Sequence, residues 1–132
     1  MILDTTYLIA LASGDADATA LAQQHESTGI PQRIPTMAIS ELYAGIGAGS
    51  QPNENARKYE ELLGNLPTIG MDANIARRAG ALRGVHIADD TKPRLGRGDS
   101  TIAATGLVYN EPVVTDDTDD FGSVDGLDVV TW

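Results

Sequence analysis

Four sets of carboxylates stand at the borders of apolar runs, where a charged side chain has least access to water. Asp4 ends "MIL", Glu41 follows "RIPTMAIS", Asp99 heads "DSTIAATGL", and the run Asp116, Asp117, Asp119 and Asp120 follows "PVVT". Two unit charges 5 Å apart repel by about 3 kcal/mol at an effective dielectric of 20, so gathered carboxylates need a counter-charge. Oxygen-only ligands select hard divalent ions, Mg²⁺ or Mn²⁺, over zinc. Such a set suits the hydrolysis of a phosphodiester by a water made acidic on the metal.

Each acid also has a plainer role. Asp99, after Gly98, can cap a helix, and Glu41 can favour the dipole of the helix it opens. Part of the 116–120 run can be a solvated turn. Asp4 is harder to explain in that way, because it interrupts an apolar stretch, "MILDTTYLIAL", and unpaired acids are rarely buried.

The elements that must position these residues alternate. Strand-like runs at 1–3, 33–39, 67–71, 112–115 and 127–132 are separated by helix-like patterns at 5–12, 15–28, 40–48, 53–63, 72–88 and 99–109. Ser40 before "ELYAGI" and Pro52 before "NENARKYEELL" read as helix starts. Alternation of this kind predicts one three-layer α/β/α domain over residues 1–132, with a mainly parallel, twisted sheet of roughly five strands. Sites in such sheets form at the C-terminal strand ends, so Asp4 and the 116–120 run converge if their strands are neighbours. The segment 89–98, "DDTKPRLGRG", is broken by Pro93, Gly96 and Gly98 and carries Lys92, Arg94 and Arg97, a local basic patch. Arg94 and Arg97 are candidate contacts to a nucleic-acid backbone, or residues of an ordinary exposed loop. His25 and His86 have no neighbouring ligand spacing and read as surface residues.

Composition sets outer bounds. The formal charge is −10, with 13 aspartates against 6 glutamates and only two lysines among nine cations. This acidity resembles the surface of proteins from salt-loving organisms, such as a halophilic archaeon, where salt screens the repulsion. It disfavours indiscriminate binding to nucleic acid. The chain has no cysteine, which excludes disulfides and thiol chemistry. No membrane-length apolar run or basic leader is present, and a cytoplasmic location is expected. There is no phosphate-binding G-x-x-x-x-G-K-[ST], no G-x-S-x-G around Ser100 and no H-E-x-x-H. The acidic run fits no register of an EF-hand loop. A phosphoaspartate enzyme with Asp4 as nucleophile would want a second aspartate at position 6, which is Thr6.

The stretches "ILDTTYLIAL" (2–11), "ISELYAGI" (39–46), "GDSTIAATGL" (98–107) and "VVTDDTDDF" (113–121), in this order across the chain, resemble the PIN-domain family and most closely its VapC-type toxins. The resemblance implies a metal-dependent endoribonuclease with Asp4, Glu41, Asp99 and Asp117 as its site. Asp4, Asp99 and Asp117 would then hold Mg²⁺ or Mn²⁺, Glu41 would act through a water, and Thr115 would support a carboxylate. Asp116 occupies the variable place of the last motif and is a further possible ligand. The resemblance also implies an RNA substrate, products with 5′-phosphate and 3′-hydroxyl ends, a small VapB-like antitoxin and a homodimer. The antitoxin helix would dock on the helices at 5–12 and 53–63. A PIN-like binding module without catalysis and a magnesium-dependent phosphatase are the competing readings.

Overall fold

The computed structural model describes all residues, Met1–Trp132. Its order is β1 (Ile2–Leu3), α1 (Thr5–Ser13), α2 (Ala16–Ser27), β2 (Ile34–Pro35), α3 (Thr36–Ala48), α4 (Pro52–Leu63), β3 (Thr68–Ile69), α5 (Ala73–Ala88), α6 (Arg97–Tyr109), β4 (Val113–Val114), α7 (Thr118–Gly122) and β5 (Val129–Val130). The strands form two parallel ladders, β1-β4-β5 and β2-β3, joined by a parallel bridge between Ile2 and Arg33. The resulting order is β3-β2-β1-β4-β5, the expected α/β architecture. Each strand is only two residues long, so the apolar runs overstate the ladder and many of their residues belong to turns and helices.

Central strands β1, β2 and β4 are wholly buried, which matches their continuous apolar sequence. Helix α6 fills the middle of the molecule, with Ser100 through Gly106 all buried. Its hydroxyls are satisfied inside the helix: Thr101 Oγ1 donates to Arg97 O at 2.7 Å and Thr105 Oγ1 to Thr101 O at 2.8 Å. Gly106 is required by close packing, since a Cβ there would lie 2.8 Å from Leu127 and 2.9 Å from the Glu111 carbonyl. By contrast, α4 buries no residue fully and forms an outer wall through Tyr59, Leu62 and Leu63.

Three sequence expectations need correction. Helix α3 starts at Thr36, not Ser40, because Pro35 closes β2 and Ala38, Leu42 and Ile46 recur on one buried helical stripe. His25 and His86 are buried, 4% and 3% exposed, not on the surface. Lys92 is not part of a free basic patch, since its ammonium holds Ser123 O at 2.7 Å and Asp125 at 3.1 Å.

Candidate active site

Strand register brings the distant acids together. Leu3 pairs with Val114 in parallel β1 and β4, so the residues that follow, Asp4 and Thr115, emerge side by side. Asp4, 3% exposed, stands at the start of α1. Its Oδ2 accepts from Thr115 Oγ1 at 2.7 Å and from Thr6 Oγ1 at 2.9 Å. Thr115 in turn accepts the Asp117 backbone N–H at 3.0 Å, tying the two acid-bearing turns together. Asp117 Oδ1 accepts the Asp120 N–H at 3.1 Å and caps α7.

Glu41 lies in the second turn of α3, not at its opening. Its carboxylate accepts from Thr5 Oγ1 at 3.0 Å. A Cβ at Gly98 would sit 2.7–2.9 Å from the Glu41 Oε2, Cδ and Oε1 atoms, so this carboxylate rests against the first turn of α6. Asp99 lies in that same turn, whose N-cap position is Gly96 rather than Asp99 itself. Asp4, Asp99 and Asp117 thus stand at the N-terminal ends of α1, α6 and α7, whose partial positive charge offsets some of the repulsion.

The electrostatics report the convergence. Asp99 is pushed up to about 6, first by burial and then by the charges of Glu41, Asp4, Asp120 and Asp117. Burial raises the Asp4 carboxyl against the pull of the Thr115 and Thr6 hydroxyls. Burial also raises Glu41, opposed by Thr5 and reinforced by Asp4. Asp120 is raised by burial and by Asp117 and Asp119. No cation answers this cluster, because the ion pairs are Met1–Glu111, Arg33–Glu111 and Lys92–Asp125.

The donor set fits a hard divalent ion in charge and chemistry. No three acidic or histidine side chains stand close enough to hold one ion together as they lie. That is compatible with Mg²⁺, which binds through one or two carboxylates and keeps several waters. Asp116 is exposed and points its charge to solvent, whereas Asp120 is drawn into the pocket's field. Arg94 and Arg97 are exposed and unpaired beside Asp99 in sequence. The sequence reading missed Thr5, Thr6 and Gly98. The "DTT" triplet was the available signal for the first two, since a hydroxyl one or two residues from a buried carboxylate is placed to donate to it.

Comparison with known proteins agrees with this fold. The PIN domain family profile matches residues 1–127. No curated protein matches the chain. Among solved structures, VapBC2 from Rickettsia felis, bound to a DNA fragment from its promoter, superposes with a TM-score of 0.89 at 19% identity, covering 99% of this chain and 97% of that one. VapBC-5 from Mycobacterium tuberculosis, a toxin–antitoxin system, shares 27% identity at a TM-score of 0.68 over 98% of this chain and 94% of that one. VapC20 from Mycobacterium tuberculosis, a sarcin–ricin-loop-cleaving toxin, matches at a TM-score of 0.68 and 15% identity, over 94% of each chain. With its fold, its converging acids and a family match over nearly its whole length, this chain belongs to the PIN domain family.

Proposed function

We propose that the protein is a Mg²⁺- or Mn²⁺-dependent endoribonuclease and the toxin of a toxin–antitoxin pair. One observation carries this reading: Asp99 feels the charge of Asp4, Glu41, Asp117 and Asp120 together, and none of these acids is held in an ion pair. Asp4, Asp99 and Asp117 are the residues that hold the ion. When bound, it supplies an acidified water and neutralises charge that builds on the phosphate. Glu41, half-buried and braced by Thr5, is placed to orient that water and take its proton. Thr115 and Thr6 occupy Asp4 Oδ2, which leaves Oδ1 free of hydroxyl partners. Arg94 and Arg97 contact the RNA backbone.

The antitoxin reading also has a physical basis. Neighbouring hollows along α1 and α4 are bordered by Leu11 and Leu62, by Ala12 and Lys58, and by Ile9 and Tyr59, the last also by Glu41, and we read them together as one groove. An amphipathic helix laid in it would end at the acids, where an arginine can fork onto two carboxylates. Self-association as a homodimer belongs to the same proposal and is read by light scattering. No helix is long and apolar enough to cross a membrane.

The test is cleavage of single-stranded RNA with Mn²⁺ by wild type, Asp4→Asn and Asp99→Asn. Both variants should stay folded, lose Mn²⁺ binding and lose cleavage. Equal cleavage by Asp99→Asn and wild type would refute the catalytic assignment.

A further inference from the structure

The segment that leads into α6 makes few hydrogen bonds of its own. Residues Pro93, Arg94 and Leu95 lie outside any helix or strand. The one hydrogen bond they make is from His86 Nδ1 to Pro93 O, 2.8 Å. A carbonyl can only accept, so Nδ1 carries the hydrogen and donates it. His86 lies in the last turn of α5 and is 3% exposed, while Leu95, 5% exposed, is the segment's apolar anchor. Four residues after Leu95 comes Asp99, in the first turn of α6, with only the N-cap Gly96 between the segment and the helix.

We propose that His86 is a positioning residue for the acid pocket: its ring N–H fixes the Pro93–Leu95 segment and thereby sets where Asp99, Arg94 and Arg97 stand. The proposal rests on the nuclease reading above. His86 touches none of the four acids, so it acts through the segment alone. A buried donor aimed at the one hydrogen-bonded carbonyl of a segment otherwise fixed by Lys92 before it and by Leu95 within it is a costly feature to keep for packing alone. An apolar residue of similar size would fill the same volume without a polar group to satisfy.

The experiment compares wild type with His86→Leu, His86→Asn and His86→Gln. Asparagine places an amide N–H about where Nδ1 stands, and glutamine places one about where Nε2 stands. Thermal melts establish that each variant is folded. Mn²⁺ affinity and the single-turnover rate on an RNA oligonucleotide are then measured. His86→Leu and His86→Gln should weaken Mn²⁺ binding and slow cleavage by tenfold or more, and His86→Asn should stay within about threefold of wild type. If His86→Leu does not fold, the Asn and Gln variants alone decide. The proposal is overturned if a folded Leu or Gln variant matches wild type, or if Asn is as impaired as Gln. A wild type that cleaves no RNA refutes the nuclease reading instead, and Mn²⁺ affinity across the same variants still decides whether His86 sets the site.

Discussion

Gly98→Ala separates the fold from the chemistry. The new methyl would lie 2.7 Å from Glu41 Oε2, against an ordinary contact of 3.4 Å or more, so the carboxylate must retreat by about 0.7 Å. The atoms it meets are the far end of a flexible side chain, and Glu41 can yield without moving backbone. Gly98 is helical, and alanine in a helix is favoured over glycine by up to about 0.5–1 kcal/mol. The variant should therefore melt at the same temperature as wild type or a few degrees higher, on the order of 2–4 °C. Activity should move the other way: a misplacement of 1 Å costs on the order of 10²-fold, so 0.7 Å costs roughly 10- to 30-fold in single-turnover cleavage. Repeating the change in a Glu41→Ala background tests the route, because with the carboxylate gone the methyl has nothing to displace. The reasoning fails if Gly98→Ala cleaves RNA at the wild-type rate, or if the loss persists undiminished in the double variant.

Three further outcomes follow from the same geometry. Asp99 binds its proton more tightly folded, at about 6, than unfolded, at 3.8, so metal-free stability is higher at low pH and is lost as pH rises through 6. After discounting for solvent screening of a half-exposed group the whole effect is about 1–2 kcal/mol, of which about 0.5–1 kcal/mol falls between pH 5 and 7.5; urea melts at those two pH values should show that part, and Asp99→Asn should flatten it. Gly106→Ala meets backbone and core side chains at 2.8–3.0 Å and should lower stability by about 1–3 kcal/mol, read by denaturant titration. With 19 acids against 9 bases, the melting temperature should rise between dilute buffer and molar KCl, and a flat curve would remove the salt-adapted reading of the composition.

The parts of this architecture visible in the sequence were those written in short-range pattern. The five strands, their parallel pairing and the placing of Asp4 and Asp117 at strand ends follow from apolar runs punctuated by acids, whereas the adjacency of β1 and β4 that brings the acids together is left open by those runs. Boundaries were less legible where local preference and packing disagreed: "RIPTMAI" carries strand-type residues, yet its second half is helical because Ala38, Leu42 and Ile46 need one face on the core. The histidines were misplaced because a lone imidazole carries no pattern, and burial is decided by what packs on it. Lys92's partners, Ser123 and Asp125, lie about thirty residues away and could not be read from its neighbours. The Gly98–Glu41 approach is likewise invisible in one dimension, since the informative feature is an absent methyl.

The position of β4 between β1 and β5 has a consequence for synthesis on the ribosome. Asp4 emerges 111 residues ahead of Thr115, which holds its carboxylate. Until β4 arrives, β1 can pair only on its β2 side, and Asp4 lacks both its hydroxyl partner and Asp117. Translation at about 5–20 residues per second leaves the nascent chain without an assembled acid pocket for several seconds. A growing polypeptide of this topology therefore carries its first acid long before it carries a site, and whatever chemistry the pocket performs starts only when the last quarter of the fold has closed.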